Sequence, residues 1–306
     1  MSLRTFFGRE NINLLNILAN SLVSRSLGLD KDFILKCPQI KFHEKIEFIT
    51  KKYLLLIKHL ILLIPAAPQE SHVKINKKLI YYDSDYGIAM LQAMVVDFDH
   101  FLIKHLSHLK QPTIIDIGAH LGFFSMTAAR FLHEPKIYAC EPSSIAFELL
   151  KKNVRGIRSI IPVNLGFSNS KSQAKLFYLP NLLSLSSLFP ERFGWSETYF
   201  WEKVKLDTLD SFVRKKRLKM IDILKIDAEG AEEKILRGAH QTLAQTRYLI
   251  LECSLDGIGG TTFSSILHNL YGLRHNFQLV NIQTPFLKRS DRIATVNMLF
   301  ENLNLL

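Results

Sequence analysis

The stretch Ile114–Ser125, IIDIGAHLGFFS, decides the fold. It opens as a short β-branched run, turns at Gly118 and Gly122, and continues into a segment whose expected core face is Phe124, Ala128 and Phe131, at helical spacing. In an open α/β sheet, ligands sit at the carboxyl ends of the strands, and a glycine turn lets backbone approach them closely. The dinucleotide fingerprint G-x-G-x-x-G needs its second glycine for a pyrophosphate and its third for tight helix packing. Here those positions hold His120 and Phe123. A side chain at 120 crowds a pyrophosphate, so the turn argues against a nicotinamide or flavin dinucleotide.

A nucleoside carrying an amino-acid tail in place of phosphates, S-adenosylmethionine, tolerates that side chain. The next segment, KIYACEPSS, places Glu141 at the end of a second strand, 23 residues after Gly118. A carboxylate there can accept hydrogen bonds from both ribose hydroxyls. Its bland alternative is a surface acid ahead of a helix N-terminus, where negative charge is favourable anyway. Combined with the glycine turn, the ribose role is the stronger. The candidate cofactor-binding residues are therefore Asp116, Gly118, Ala119, His120 and Gly122 in the turn, Glu141 and Pro142 after the second strand, and Asp227 further on.

Working outward, β-branched runs recur at 113–117, 136–140, 159–163, 221–226 and 247–251, mostly separated by helical patterns. Strands alternating with helices imply right-handed crossovers and a parallel sheet covered on both faces. A helix near 262–271 and strands at 276–283 and 292–300 follow, the last two joined by TPFLKRSD as an antiparallel edge hairpin. The expectation is an α/β fold with a mostly parallel, seven-stranded, Rossmann-like sheet of the class I methyltransferase type. Ahead of the polar break Lys110–Pro112, residues 1–110 are expected to form a mainly helical extension, with Leu14, Leu15, Ile17, Leu18 and Leu22 at helical spacing, a strand or hairpin over 72–83 and a further helical pattern over 86–108. Residues 111–306 form the S-adenosylmethionine-binding domain.

A third element, LKIDAEGAEEKILRGAHQTL, sets Asp227 at the end of the fourth strand of this domain and Glu229 at the start of a helix. That helix should bury Ile235, Leu236, Ala239 and Leu243 and pair Glu233 with Arg237 across one turn. Asp227 and Glu229 can serve merely as helix caps. Two acids at a strand's carboxyl end also face the expected reaction centre, and Glu252, closing the strand LILE, should be their neighbour. Asp227, Glu229 and Glu252 are the catalytic candidates, with Asp227 or Glu229 preferred as general base for a hydroxyl acceptor. A second arrangement has Asp227, Glu252 and a water holding Mg²⁺. Two carboxylates are thin evidence for a metal.

Taken in order, DIGAHLG, CEPSS, LKKN at 150–153, SSLFPER at 186–192, VKLDTLD, KIDAEGAE, LRGA and the strand ending in Glu252 resemble the FkbM-type methyltransferase family. The resemblance spans about residues 85–255 and does not reach the first 70. It implies a class I methyltransferase fold, S-adenosylmethionine as methyl donor, and transfer to a hydroxyl oxygen of a small molecule or glycan. The family's glycine motif usually has Asn where this chain has His120.

Composition narrows the partners. A net charge of +11 divides as 15 basic against 10 acidic residues over 1–110 and 24 against 18 beyond, so the excess is spread rather than focused as a nucleic-acid face requires. There is no NPPY-like or DPPY-like tetrapeptide of amino-directed nucleic-acid methyltransferases, and no aromatic–basic stripe for stacking is expected, which makes RNA the lesser alternative. A silent cofactor-binding scaffold could dispense with Asp227 and Glu229. The basic run 214–219 fits a solvated helix end. Cys37, Cys140 and Cys253 are too scattered for a disulfide framework, which fits a reducing cytoplasm. The first residues lack an apolar signal core, and Tyr53–Ala67, interrupted by Lys58, His59 and Pro65, falls short of the roughly 20 residues of a span. Membrane contact, if any, would be at a surface.

Overall fold

The computed structural model describes residues 105–179, 199–254, 261–271, 276–283 and 295–305, together with shorter pieces at 30–31, 34–35, 40–62, 71–75, 78–82, 183, 186–193, 288–289 and 292–293. The helical patterns read at 14–22 and 86–104 lie outside them. Ahead of the sheet, α1 (Phe42–Leu62) contains much of the apolar stretch that begins at Tyr53, and β1 (Ser71–Ile75) pairs antiparallel with β2 (Lys78–Tyr82) as the expected hairpin. Among the described residues no helix is long and apolar enough to cross a membrane.

The remaining elements are β3 (Thr113–Ile117), α2 (Phe123–Phe131), β4 (Lys136–Cys140), α3 (Ser144–Val154), β5 (Ile160–Val163), β6 (Gly166–Phe167), β7 (Ser172–Tyr178), β8 (Phe200–Asp207), α4 (Leu209–Lys216), β9 (Ile221–Ile226), α5 (Glu232–Arg237), α6 (His240–Ala244), β10 (Thr246–Ser254), α7 (Phe263–Tyr271), β11 (Phe277–Gln283), β12 (Lys288–Arg289), β13 (Arg292–Ile293) and β14 (Thr295–Asn302). The main sheet runs β11-β14-β10-β9-β3-β4-β5. β10, β9, β3, β4 and β5 are mutually parallel, and β14 lies antiparallel between β10 and β11. β12 and β13 form a small ribbon inside the β11–β14 connection.

Side-chain alternation assigns the two layers. Ile115, Ile117, Leu224, Ile226, Leu249 and Leu251 point to one face, packed under Phe212, Ile235, Leu236, Leu243 and Leu270 from α4 to α7. Ile114, Ile223, Ile250 and Leu299 point to the other, under Phe124, Ala128, Leu150 and Val154 of α2 and α3. Strands buried on both faces need apolar residues at consecutive positions, which is why these runs do not alternate.

Three expectations are corrected. Phe131 is partly exposed and Leu132 takes the buried place, because α2 ends there and the chain turns in toward β4. The helix expected after Gly230 is two, α5 and α6, broken at Gly238–Ala239, although all four apolar positions are buried and Arg237 pairs with Glu233 at 2.5 Å. The sequence reading also missed a second sheet, β6-β8-β7, in which β7 and β8 pair antiparallel across 21 intervening residues. Short alternating strands separated by so long a connection carry no hairpin signal.

Asn153, in the LKKN segment, has an identifiable task. Its Oδ1 accepts from Tyr81 N at 2.7 Å while its Nδ2 donates to Tyr81 O and to Leu121 O at 2.9 Å each. One buried amide thus fastens the β1–β2 hairpin to the end of the glycine turn.

Candidate active site

The turn between β3 and α2 is built from left-handed backbone: Gly118 at φ 75°, His120 at 47° and Gly122 at 85°. A Cβ at Gly118 would lie 1.7 Å from Asp227 O, so this glycine lets the ends of β3 and β9 close on each other. At Gly122 it would lie 2.5 Å from Leu150 Cδ1, so that glycine admits α3. The motif's glycines are thus required by the protein's own packing. His120 adopts a conformation that costs a non-glycine residue free energy and that Asn tolerates best.

Glu141 closes the turn from β4. It is buried, its Oε2 accepts from His120 N and its Oε1 from Ser143 N, each at 2.8 Å. Burial pushes its carboxyl up to about 7, against the pull of those two donors. Each oxygen keeps a second lone pair for a ribose hydroxyl. Ala119 is buried in the turn and Pro142 half-buried beside Glu141. Asp116 lies beneath, fully buried: Oδ2 accepts from Ser125 Oγ at 2.6 Å and Oδ1 lies 3.6 Å from Lys225 Nζ. It supports the turn from below. These features fit a nucleoside whose hydroxyls need buried acceptors.

Across the sheet, the row Ile114, Ile223, Tyr248 is followed, toward the carboxyl ends of the parallel strands, by Asp116, Lys225, Ile250 and Leu299, and one row further Glu252 stands opposite Asn297. That face therefore changes from apolar to ionisable toward the carboxyl ends, one row earlier on β3 and β9 than on β10 and β14. Lys225, a buried cation in the mostly apolar strand β9, lies 3.1 Å from Asp227 Oδ2. Asp227 and Glu229 are half-buried on the loop that follows. Glu252 holds its proton well above the usual carboxylate range, first because of burial and then because Asp227 and Glu229 repel its charge. Opposite it, the buried Oδ1 of Asn297 has no hydrogen-bond partner among the described residues.

The acid loop is held by residues that the sequence reading passed over. Glu232 accepts from Ala228 N and Gly230 N at 3.0–3.1 Å, keeping Glu229 at φ 48°. Ser187 Oγ, within SSLFPER, donates to Glu229 O at 2.7 Å. On the cofactor side Glu202 of β8 accepts from Ser143 Oγ at 2.6 Å and from Ser144, clamping the start of α3. A lysine inside a mostly apolar strand was a visible signal; the partners of Ser187 and Glu202 are tertiary and were not.

The magnesium arrangement does not fit these residues. Asp227 already has Lys225 as its cation, and among the described residues no three His, Cys, Asp or Glu are grouped to hold a metal.

A parallel sheet ending in an inserted antiparallel strand, with a glycine turn and an acid after the second strand, defines a class I S-adenosylmethionine-dependent methyltransferase. Residues 116–279 match the methyltransferase FkbM domain, and the chain belongs to that family. It is 28% identical over 190 residues to methyltransferase sdnD of Sordaria araneosa, covering 52% of this chain and 73% of that protein. It is 25% identical over 142 residues to methyltransferase 1 of Beauveria bassiana (strain ARSEF 2860), covering 41% and 57%. Among solved structures it is similar to an rRNA methylase from Streptococcus thermophilus, with TM-score 0.42, 14% identity and coverage of 67% of this chain and 95% of that one. M. jannaschii TYW2 in complex with AdoMet gives TM-score 0.40, 12% identity and coverage of 78% and 90%.

Proposed function

We propose that this methyltransferase acts on a hydroxyl oxygen of a small molecule or glycan, with Glu252 as general base. The observation that supports it is the ionisable end of one sheet face, beside the glycine turn, where burial and then the charges of Asp227 and Glu229 raise the proton affinity of Glu252. S-adenosylmethionine supplies an electrophilic methyl on a sulfonium. The acceptor oxygen forms the new C–O bond as the S–C bond breaks, and its proton passes to Glu252. A carboxylate with raised proton affinity suits that step better than one held ionised. Asp227, paired with Lys225, orients the hydroxyl, and the lone acceptor on Asn297 receives a further donor from the substrate. Gly118, Ala119, His120, Gly122, Glu141 and Pro142 bind the nucleoside, with Asp116 bracing them. The chemistry runs in a reducing cytoplasm, which the buried Cys140 and Cys253 suit.

Cell extracts incubated with the protein and isotopically methyl-labelled S-adenosylmethionine test this directly. Mass spectrometry should find the label in a methyl ether of a small molecule or glycan. Label confined to nitrogen or carbon of the product overturns the assignment.

A further inference from the structure

The second sheet carries a surface that the active site does not use. In the β7–β8 register, Phe177 stands opposite Trp201, Lys175 opposite Lys203, and Gln173 opposite Lys205, all on one face. The other face is apolar in its middle, where Leu176, Val204 and Leu206 are buried together. The outward face thus joins three exposed lysines to an aromatic end. Lys175 and Lys203 face each other directly, a destabilising like-charge pair in a sheet. The carboxylate further along that face, Asp207, is buried and paired with Lys215 at 2.6 Å.

The aromatic end is formed by Tyr199, Phe200 and Trp201, three consecutive large side chains exposed by 43%, 53% and 51%. Consecutive strand residues point to opposite faces. Tyr199 and Trp201 lie with Phe177, the Phe177 and Tyr199 rings edge to face at 5.5 Å, whereas Phe200 stacks on Tyr178 from the other side at 6.0 Å. Lys175 Nζ sits 4.1 Å above the Trp201 ring. A platform for stacking nucleic-acid bases would gather its rings on one face. Rings on both faces of a strand end suit a medium that surrounds it. Aromatics at the tip with lysines behind are the combination that settles at a lipid–water boundary, rings at headgroup depth and ammonium groups among anionic headgroups.

We infer that the Tyr199–Trp201 end of β8, with Lys175, Lys203 and Lys205, docks this enzyme on an anionic lipid leaflet. The orientation has a chemical consequence. Glu202, next to Trp201, clamps Ser143 and Ser144 just beyond Glu141, and Phe177 exchanges backbone hydrogen bonds of 2.8 and 2.9 Å with Ser187, which holds the acid loop. The surface adjoins both halves of the catalytic site, so docking would bring that site to a lipid-borne acceptor.

Vesicle co-sedimentation of the full chain tests it, using phosphatidylcholine alone and phosphatidylcholine mixed with phosphatidylglycerol. The expected result is binding to the anionic vesicles only, weakened by salt. Lys175→Glu with Lys203→Glu should reduce it by about tenfold or more, and Phe200→Ala with Trp201→Ala several-fold at unchanged charge. Melting temperatures check that the variants fold, and Lys203→Gln with Lys205→Gln replaces the charge reversal if it does not. Equal binding to both vesicles, binding to neither, or folded variants that bind like the parent overturn the inference. So does tighter, lysine-dependent binding to single-stranded poly(U), which would make the surface a nucleic-acid site.

Discussion

The two halves of the site are held by different physics. The cofactor half is made of backbone: left-handed turn residues from one segment, closed by a carboxylate that accepts two amide protons. The acceptor half is made of side-chain charge drawn from β3, β9 and β10, with β14 contributing Asn297, and its carboxylates are kept close by a lysine and by contacts far apart in sequence. The first is a shape that a few local residues specify. The second is an electrostatic balance, and it can be detuned without unfolding. Mutations should therefore act on binding in one half and on turnover and its pH dependence in the other.

The sharpest division is at Asp227 and Glu252. Glu252→Gln should lower turnover by about 10² to 10⁴, the usual worth of a general base, with S-adenosylmethionine affinity unchanged in calorimetry. Asp227→Asn should lower turnover as well, and it should move what remains along the pH axis. Asp227 is the neighbour that raises the proton affinity of Glu252 most. Removing its charge lowers that affinity, so Glu252 ionises at lower pH and the acid limb of the rate profile shifts to lower pH. A limb that stays in place, or moves up, would show that Glu252 is not the titrating base.

Next in size is the lysine that joins the halves. Lys225→Met leaves Asp116 and Asp227 without their cation and should cost about 3 to 5 kcal/mol in urea unfolding, the scale of breaking a buried pair from one side. A loss under about 1 kcal/mol would mean that the two carboxyls relax by taking up protons. The double variant with Asp227→Asn should recover part of the loss.

On the cofactor side, Glu141→Ala should weaken S-adenosylmethionine by about 1.5 to 3 kcal/mol, the worth of a hydrogen bond to a charged group, without abolishing the fold. Because burial pushes the Glu141 carboxyl up to about 7, the parent should bind more weakly as pH falls through that value and the acceptor is lost to protonation. Glu141→Gln should flatten this dependence. Affinity that rises on acidification would sink the ribose assignment.

The same contrast explains what could be read in advance. The order of strands, the glycine turn, Glu141 and the three carboxylates were all visible because each is a local pattern: a β-branched run, a turn residue, an acid at a strand's end. The reasons given for them were less secure. Gly118 was expected to admit a ligand and instead admits Asp227 O. Lys225 makes the magnesium arrangement unsuitable, and a mostly apolar run does not announce where its one lysine points. β7 and β8 were missed because their pairing spans a long connection; the aromatic–basic run 199–205 is contiguous in the sequence but went unread, and the face it makes with Lys175 and Phe177 exists only across two strands.

The smallest expected effect tests whether strain in the backbone half serves binding. His120 sits at φ 47° between two glycines that also have positive φ. Its amide, donated to Glu141 at 2.8 Å, requires that turn whatever the side chain. Asn adopts left-handed backbone more readily than His, because its short side chain can hydrogen-bond locally. His120→Asn should therefore raise stability by about 0.5 to 1 kcal/mol, read as a small rise in melting temperature. If the imidazole only fills space, cofactor affinity should be unchanged. If the ring itself contacts the nucleoside, affinity should fall while stability rises, and His120→Gly should show the same divergence. Loss of both together would mean that the imidazole holds the turn through its side chain and that backbone strain is not what distinguishes this position.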